Sequence, residues 1–432
     1  MKRLSFLVVA LVVVAMTTTA GLKEDFKANK WMSANNYWAY PYPAAPLPAL
    51  TPAPEGYTPF FINHYGRHGS RWLIGKRIYN FPVEQLEIGE RNGMLTARGK
   101  EVLTILRELR ASAQGRDGEL SDIGAEQHQG IARRMFRNFP EVFAGDARIN
   151  ARSTVVIRCI LSMQNEVDVL KSMNPKLRIT TDASEAEMYY MNYSDPVVPD
   201  LRKAGLEHVK PLRDKWVNPK HMLKRLFTNQ QFACDSIDGQ RLMIDLFDVT
   251  GNMQSHHQWE NTDLYDLFSA DDIANVYRYN NARWYILSGE NPLTRGRVDF
   301  MESHLLRNLV EDGDRAVCRP DHGASLRFGH ESVVLPLVCL MGLDGADYST
   351  TDLETLDRHW LTYKIFPMAC NVQMVYYRNA DRSDILVKIL LNEHEATLPI
   401  APVSGPYYRW CDVRDYFLNK LSREPYIPAA IQ

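Results

Sequence analysis

The sequence lacks the features that mark nucleic-acid-binding and metal-binding modules. Its 432 residues carry a formal net charge of −2 without a dense run of Lys or Arg, so we expect no nucleic-acid partner. None of the six cysteines forms a Cys-x-x-Cys pair, which argues against a zinc ribbon or a thioredoxin-like site. His394 and Glu395 begin an H-E-x-x-H pattern, but Leu398 replaces its second histidine, so the zinc motif fails. Because the net charge is slightly negative, an anionic ligand would need a local positive pocket. The cysteines leave open either disulfides or buried thiols.

The chain has no internal repeat, and its low-complexity sequence is limited to prolines at 40–59. Its N-terminus has the pattern of a signal peptide over residues 1–20: basic Lys2 and Arg3, an apolar run at 4–16, and a small residue, Ala20, before the cleavage point. The apolar run is short for a membrane span, although a signal anchor is the alternative. We expect a periplasmic or secreted protein with no integral membrane segment after cleavage.

Strand and helix patterns alternate along much of the chain. An apolar run at 58–64 predicts a buried strand, and helical patterns follow at 96–113 and, after a cap at Ser121, up to 136. A second strand at 146–151 precedes a long helix. This alternation predicts an α/β fold built on a sheet.

The middle of the chain differs in character. Residues 169–305 are polar and mostly helical in pattern, which predicts a mainly helical cap inserted into the α/β domain. The sheet pattern returns with a strand at 325–328 and a hairpin at 371–391. We therefore expect an extended proline-rich lead-in at 21–56, a catalytic α/β domain formed by 57–168 and 306–425, and a cap formed by 169–305.

Polar groups follow three of the predicted strands. They are Arg67-His68-Gly69-Ser70-Arg71, the turn from Arg152 to Arg158, and His330-Glu331. Because ligands of α/β sheets bind at the carboxyl ends of the strands, these groups are predicted to lie along one edge. The second and third groups also precede helices, whose N-terminal amides favour anions.

These residue types suit phosphoryl transfer. Guanidinium groups match phosphate oxygens, and a neutral imidazole is a good nucleophile. His68 is therefore the predicted nucleophile, and Arg67 and Arg71 are predicted phosphate ligands. Glu331 is the predicted proton donor for the leaving alkoxide, with His330 as a further phosphate ligand. This chemistry requires no metal or cofactor.

The same residues resemble the motifs of the histidine acid phosphatases, in the branch with phytases and multiple inositol polyphosphate phosphatases. Arg67-His68-Gly69-Ser70-Arg71 matches the family's Arg-His-Gly-x-Arg loop, and Arg158-Cys159-Ile160-Leu161-Ser162 resembles Arg-Cys-x-x-Ser of the inositol polyphosphate type. The resemblance implies a phosphoglycerate-mutase-like, three-layer α/β domain with a helical cap. It makes Arg158 the preferred downstream phosphate ligand, with Arg152 as the alternative.

The chain departs from the family pattern in two places. Trp72-Leu73 follows the loop where the family often has x-Pro, and His330-Glu331-Ser332 replaces His-Asp or His-Ala-Glu. The second departure leaves the geometry of the proton donor open.

Several alternatives also stay open. Arg327 could face the site or pack structurally, and basic residues of the cap between 202 and 225 could bind substrate or form a solvated face. The sequence predicts an exported acid phosphomonoesterase that hydrolyses inositol polyphosphates, phytate included, and that has no obligate protein partner. A broad-specificity acid phosphatase and a non-catalytic phosphate-binding protein are the alternatives.

Overall fold

The computed structural model describes residues 19–39 and 47–425. The basic and apolar regions of the predicted signal peptide lie outside the described residues, as does the first part of the proline-rich stretch. Within the described ranges, no helix combines the length and the apolar character that crossing a membrane requires.

The described residues form a sheet of eight strands and sixteen α-helices. The strands are β1 Thr58–Arg67, β2 Arg148–Ser153, β3 Arg178–Asp182, β4 Gly323–Gly329, β5 Asn371–Arg378, β6 Ile385–Leu391, β7 His394–Glu395 and β8 Tyr408–Arg409. The first eight helices are α1 Thr19–Ala28, α2 Lys76–Arg91, α3 Ala97–Ser112, α4 Asp122–Asn138, α5 Ile157–Met173, α6 Met188–Met191, α7 Val198–Leu206 and α8 Lys210–Trp216. The others are α9 Lys220–Leu226, α10 Gln230–Ser236, α11 Gly239–Met253, α12 Ala270–Ser288, α13 Ser303–Val317, α14 Glu331–Met341, α15 Thr362–Ile365 and α16 Trp410–Leu421.

The sheet is mixed, in the order β3-β2-β4-β1-β5-β6-β7, with β8 paired to β6. Neighbours among the first four strands of this order are parallel, whereas β5 runs antiparallel to β1 and β6 antiparallel to β5. All seven residues of β4 are buried, as a central strand covered on both faces requires. This arrangement confirms the predicted α/β fold class.

Helices cover both faces of the sheet. On one face, α4 and α5 pack against Ile62, Ile149 and Leu326. On the other face, helices that include α13, α14 and α16 pack against Tyr65 and Met374. Helices on both faces of the sheet give three layers, and the four parallel strands have their carboxyl ends at a common edge.

A third core lies among helices alone. Residues of α2 and α3 pack there with residues of α9 and α11, around side chains such as Trp72 and Leu246. The helical lobe therefore includes residues 76–112, which the sequence pattern places in the α/β domain. Conversely, β3 falls inside the segment predicted as a cap but pairs with β2.

The predicted extended lead-in at 21–56 is wrong for its first part. Helix α1 and a 3-10 helix at Lys30–Tyr37 occupy most of residues 19–37. Leu22 and Phe26 are buried against Tyr277 and Tyr363, because two apolar side chains four residues apart share one face of a helix. The segment is thus part of the folded core.

Candidate active site

Three parallel strands end side by side at one edge of the sheet. Arg67 at the end of β1 pairs with Gly329 at the end of β4, and Ser153 at the end of β2 pairs with Phe328. The three polar groups identified in the sequence follow these positions directly. The structure therefore brings His68, His330 and the start of α5 together.

His68 is fully buried in the loop that follows β1. Its backbone N–H donates to the carbonyl of Gly329 (2.9 Å), and its Nδ1 lies 2.8 Å from the carbonyl of Gly69. A carbonyl only accepts hydrogen bonds, so Nδ1 carries the proton and Nε2 keeps its lone pair. This Nε2 faces Glu331 Oε2 at 3.4 Å.

Two arginines flank this imidazole. Arg67 is fully buried; its Nη1 donates to the carbonyls of Asn36 (2.6 Å) and Phe366 (3.1 Å), and its Nε donates to Glu331 Oε2 (3.1 Å). Arg71 Nη2 lies 3.6 Å from Glu331 Oε1. The two guanidiniums and His68 Nε2 thus surround one carboxylate.

Glu331 is the first residue of α14, and 15% of its side-chain surface is exposed. Its carboxylate lies at a helix N-terminus and against two guanidiniums, which are the surroundings that a phosphate prefers. Glu331 therefore occupies an anion cradle formed by Arg67, His68 and Arg71.

His330 and Arg158 complete the cluster. His330 Nε2 lies 3.2 Å from the hydroxyl of Thr154, and its Nδ1 lies 3.5 Å from Nη2 of Arg158. The imidazoles of His68 and His330 are 5.9 Å apart between centroids. Arg152, the alternative to Arg158, turns elsewhere, with its Nε 3.7 Å from Glu187 Oε2.

The burial of these groups sets their charges. Burial holds the pKa of His68 well below its usual value, against the opposing effect of Glu331. Burial also lowers the pKa of His330 to about 4. For Glu331, burial would raise the pKa, but the positive charges of Arg67 and Arg71 outweigh it and hold the pKa well below its usual range. The resting site therefore has neutral imidazoles and an ionised Glu331.

The donor atoms of His68, His330 and Glu331 lie within 4.8 Å of one another, which is close enough to ligate a metal ion. Two guanidiniums face Glu331 and a third lies beside His330, however, and their charge disfavours a cation. The cluster is better suited to an anion.

Sequence reasoning missed the contribution of the N-terminal segment. The Asn36 carbonyl fixes Arg67, and the ring of Tyr37 lies 5.8 Å from the guanidinium carbon of Arg71. Their positions depend on the fold of residues 30–37 against helices far along the chain, and a backbone carbonyl has no signature in sequence.

The sequence leaves open the roles of other basic residues, and several of these residues pair with groups outside the site. Arg327 is buried and donates to Asn63 (2.6 Å) and Asp312 (2.9 Å), so it packs structurally. Several cap residues also form salt bridges, with partners outside the cluster described above: Lys210 with Glu207, Lys215 with Glu354, and Arg225 with Asp266.

Comparison with known proteins gives relatives in sequence and in fold. No protein-family model matches the sequence. The human multiple inositol polyphosphate phosphatase 1 is 21% identical over 399 residues, which cover 82% of this chain and 78% of the human protein.

Two solved structures share the fold. The multiple inositol polyphosphate phosphatase of Bifidobacterium longum, in complex with inositol hexasulfate, matches with a TM-score of 0.74 and 19% identity over 88% of this chain and 97% of that one. The phytase from D. castellii matches with a TM-score of 0.65 and 15% identity over 92% of this chain and 86% of that one. The resemblance to the histidine acid phosphatases predicted from the motifs is therefore confirmed, and the relatives are histidine-type phosphatases, that is, phosphoric monoester hydrolases.

Proposed function

We propose that this chain is an exported acid phosphomonoesterase that hydrolyses inositol polyphosphates, phytate included, through a phosphohistidine formed on His68. One observation carries the proposal: an unprotonated imidazole nitrogen, two guanidiniums and a carboxyl group converge on one point, and a third guanidinium lies beside them. Export is supported by the signal-peptide pattern of residues 1–20.

In the first step, a phosphoryl group replaces the Glu331 carboxylate between Arg67 and Arg71. Nε2 of His68 attacks phosphorus, and the bond from phosphorus to the ester oxygen breaks as the N–P bond forms. Arg67, Arg71, Arg158 and His330 hold the equatorial oxygens, on which charge builds. Protonated Glu331 donates its proton to the leaving alkoxide.

In the second step, ionised Glu331 accepts a proton from water. The hydroxide attacks phosphorus, the N–P bond breaks, and inorganic phosphate leaves with the imidazole neutral again. All proton transfers use groups of this chain and water, so the cycle needs no cofactor.

The substrate class rests on the relatives and on the cradle. Two of the relatives named above are multiple inositol polyphosphate phosphatases and one is a phytase, and a complex with inositol hexasulfate shows that the Bifidobacterium protein binds a polyanion shaped like phytate. The cradle recognises only the phosphoryl group. The rest of the substrate must therefore be recognised by residues around it.

The test uses purified protein with inositol hexakisphosphate and with p-nitrophenyl phosphate, at acidic and neutral pH and in EDTA. Wild type should release phosphate from both, and His68→Ala should release none. Glu331→Gln should be slowed by about 10²–10⁴-fold. Turnover that survives in His68→Ala would refute the mechanism, and loss of turnover in EDTA would refute the metal-free cycle.

The same experiment separates the alternatives. Faster turnover of p-nitrophenyl phosphate than of inositol hexakisphosphate would indicate a broad-specificity phosphatase. Binding of inositol hexakisphosphate without turnover would indicate a phosphate-binding protein.

A further inference from the structure

The peptide group between Gly69 and Ser70 makes two hydrogen bonds that point in opposite directions. Its carbonyl accepts from Nδ1 of His68 (2.8 Å), and its N–H donates to Oε1 of Gln127 (2.8 Å). A peptide group is planar and rigid. The side chain that holds the N–H therefore also orients the carbonyl that faces His68.

That carbonyl decides which nitrogen of His68 carries the proton. Neutral imidazole has one protonated and one unprotonated nitrogen, and the tautomer follows the hydrogen bond that one of them makes. With Nδ1–H held by the Gly69 carbonyl, the lone pair is on Nε2, which faces the anion cradle. The other tautomer would place N–H where the attack on phosphorus requires a lone pair.

Gln127 is well suited to this task. It lies on α4, its residue surface is 6% exposed, and its amide oxygen must face the Ser70 N–H, because an amide nitrogen does not accept. The start of α4 is tied to the same loop, since the Ser121 N–H donates to the Ser70 carbonyl (2.9 Å). Gly69 and Gly124 touch so closely that a Cβ on Gly69 would lie 2.3 Å from the Gly124 oxygen.

We propose that Gln127 is a positioning residue that fixes the Gly69–Ser70 peptide and thereby keeps His68 in the Nδ1–H tautomer. The proposal rests on the proposed function for its effect on catalysis. The tautomer itself can be measured without turnover.

Ser162 provides a matched control. Its buried hydroxyl accepts from the Gly69 N–H (3.1 Å), which belongs to the preceding peptide group. Ser162→Ala therefore removes a buried hydrogen bond from the same loop without releasing the carbonyl that faces His68.

The experiment records ¹⁵N spectra of histidine-labelled protein, in which protonated and unprotonated ring nitrogens are well separated, and assigns His68 by comparison with His68→Ala. Gln127→Met keeps the size of the side chain and removes the acceptor, whereas Gln127→Glu keeps an acceptor. We expect only the Nδ1–H tautomer in wild type, a mixture in Gln127→Met, and recovery in Gln127→Glu. In parallel, kcat should fall about tenfold in Gln127→Met, the effect of one lost hydrogen bond, with a smaller fall in Gln127→Glu.

An unchanged tautomer in Gln127→Met, or an equal tautomer shift in Ser162→Ala, would overturn the proposal. If Gln127→Met fails to fold, the pair of wild type and Gln127→Glu still tests it, since a mixture in Gln127→Glu would contradict the role of the acceptor. Turnover surviving in His68→Ala would refute the proposed function alone, because the tautomer result does not depend on turnover.

Discussion

The resting site already contains an anion, the carboxylate of Glu331. It contacts Arg67 Nε at 3.1 Å and lies 3.6 Å from Arg71 Nη2, so a bound phosphoryl group and Glu331 compete for the same donors. Replacing Glu331 by glutamine removes the charge and keeps the size of the side chain. We predict that Glu331→Gln binds a dianion more tightly than wild type does.

The size of the effect follows from the contacts that Glu331 gives up. The bond to Arg67 is charge-assisted and partly buried, and hydrogen bonds to charged groups contribute about 1.5–3 kcal/mol. The Arg71 contact is longer than a hydrogen bond and adds less. Glutamine keeps a neutral acceptor, and a neutral hydrogen bond contributes only about 0.5–1.5 kcal/mol. The difference of about 1–1.5 kcal/mol corresponds to an affinity that is about tenfold higher in Glu331→Gln at neutral pH.

The same displacement couples binding to a proton. Arg67 and Arg71 keep the pKa of Glu331 low in the free protein, despite its burial. A bound dianion takes over these guanidiniums and adds a negative charge, so the pKa of Glu331 rises on binding. The complex therefore holds a proton that the free protein does not, and the affinity of wild type should decrease as the pH rises.

Isothermal titration calorimetry with sulfate tests both expectations, since sulfate does not itself titrate in this range. Titrations in buffers of different ionisation enthalpy should show proton uptake by wild type and none by Glu331→Gln. Glu187→Gln is the control, because it removes a carboxylate that lies beside Arg152, outside the cradle. Equal or weaker sulfate binding by Glu331→Gln, or proton uptake that persists in it, would refute the reasoning.

Three further predictions concern other parts of the structure. Arg158→Ala should lower kcat/KM by about 10²-fold or more, as loss of a transition-state donor does. Arg152→Ala should change kcat/KM by only a few-fold, because the guanidinium of Arg152 turns to Glu187. Burial raises the pKa of Asp299 to about 8 in the folded protein. Wild type therefore has its full stability below about pH 4, where Asp299 is protonated in the folded and the unfolded chain, and it loses stability as the pH rises towards 8. In urea unfolding, Asp299→Asn should have a free energy of unfolding similar to that of wild type at pH 4. Its advantage over wild type should grow by roughly 1.4 kcal/mol for each pH unit from pH 4 to pH 8. All six cysteines are free thiols, so reductant should leave Tm unchanged, and a thiol reagent should label three sites in the native protein, which are Cys234, Cys318 and Cys411.

The sheet and the cluster at its edge were predictable because their signals are local. Buried parallel strands appear in the sequence as apolar runs. A helix cap is a single residue, such as Ser121, whose side chain accepts from the Gly124 N–H. The rule that ligands bind at the carboxyl ends of strands then joined three segments spread over more than 250 residues. The structure places them next to one another, as in the pairing of Arg67 with Gly329.

Contacts that depend on long-range packing were not predictable. The polar composition of residues 30–37 resembles that of an exposed segment, yet the Asn36 carbonyl holds Arg67 and the Asn35 side chain accepts from Thr362. Similarly, α2 and α3 follow the loop of His68 in sequence but pack with α9 and α11. The amphipathic pattern of a helix shows that one of its faces is buried, but it does not show which element packs against that face.

The position of Glu331 also has a consequence for its chemistry. In an in-line displacement, the leaving oxygen lies on the side of phosphorus opposite to the attacking nitrogen. The Glu331 carboxylate lies 3.4 Å from Nε2 of His68, so under the proposed mechanism it would have to move outward before it could protonate a leaving group. Displacement by an incoming phosphoryl group would produce this movement, and it would also separate Glu331 from the arginines that keep it ionised. We therefore infer that the substrate itself converts Glu331 from a bound anion into a proton donor.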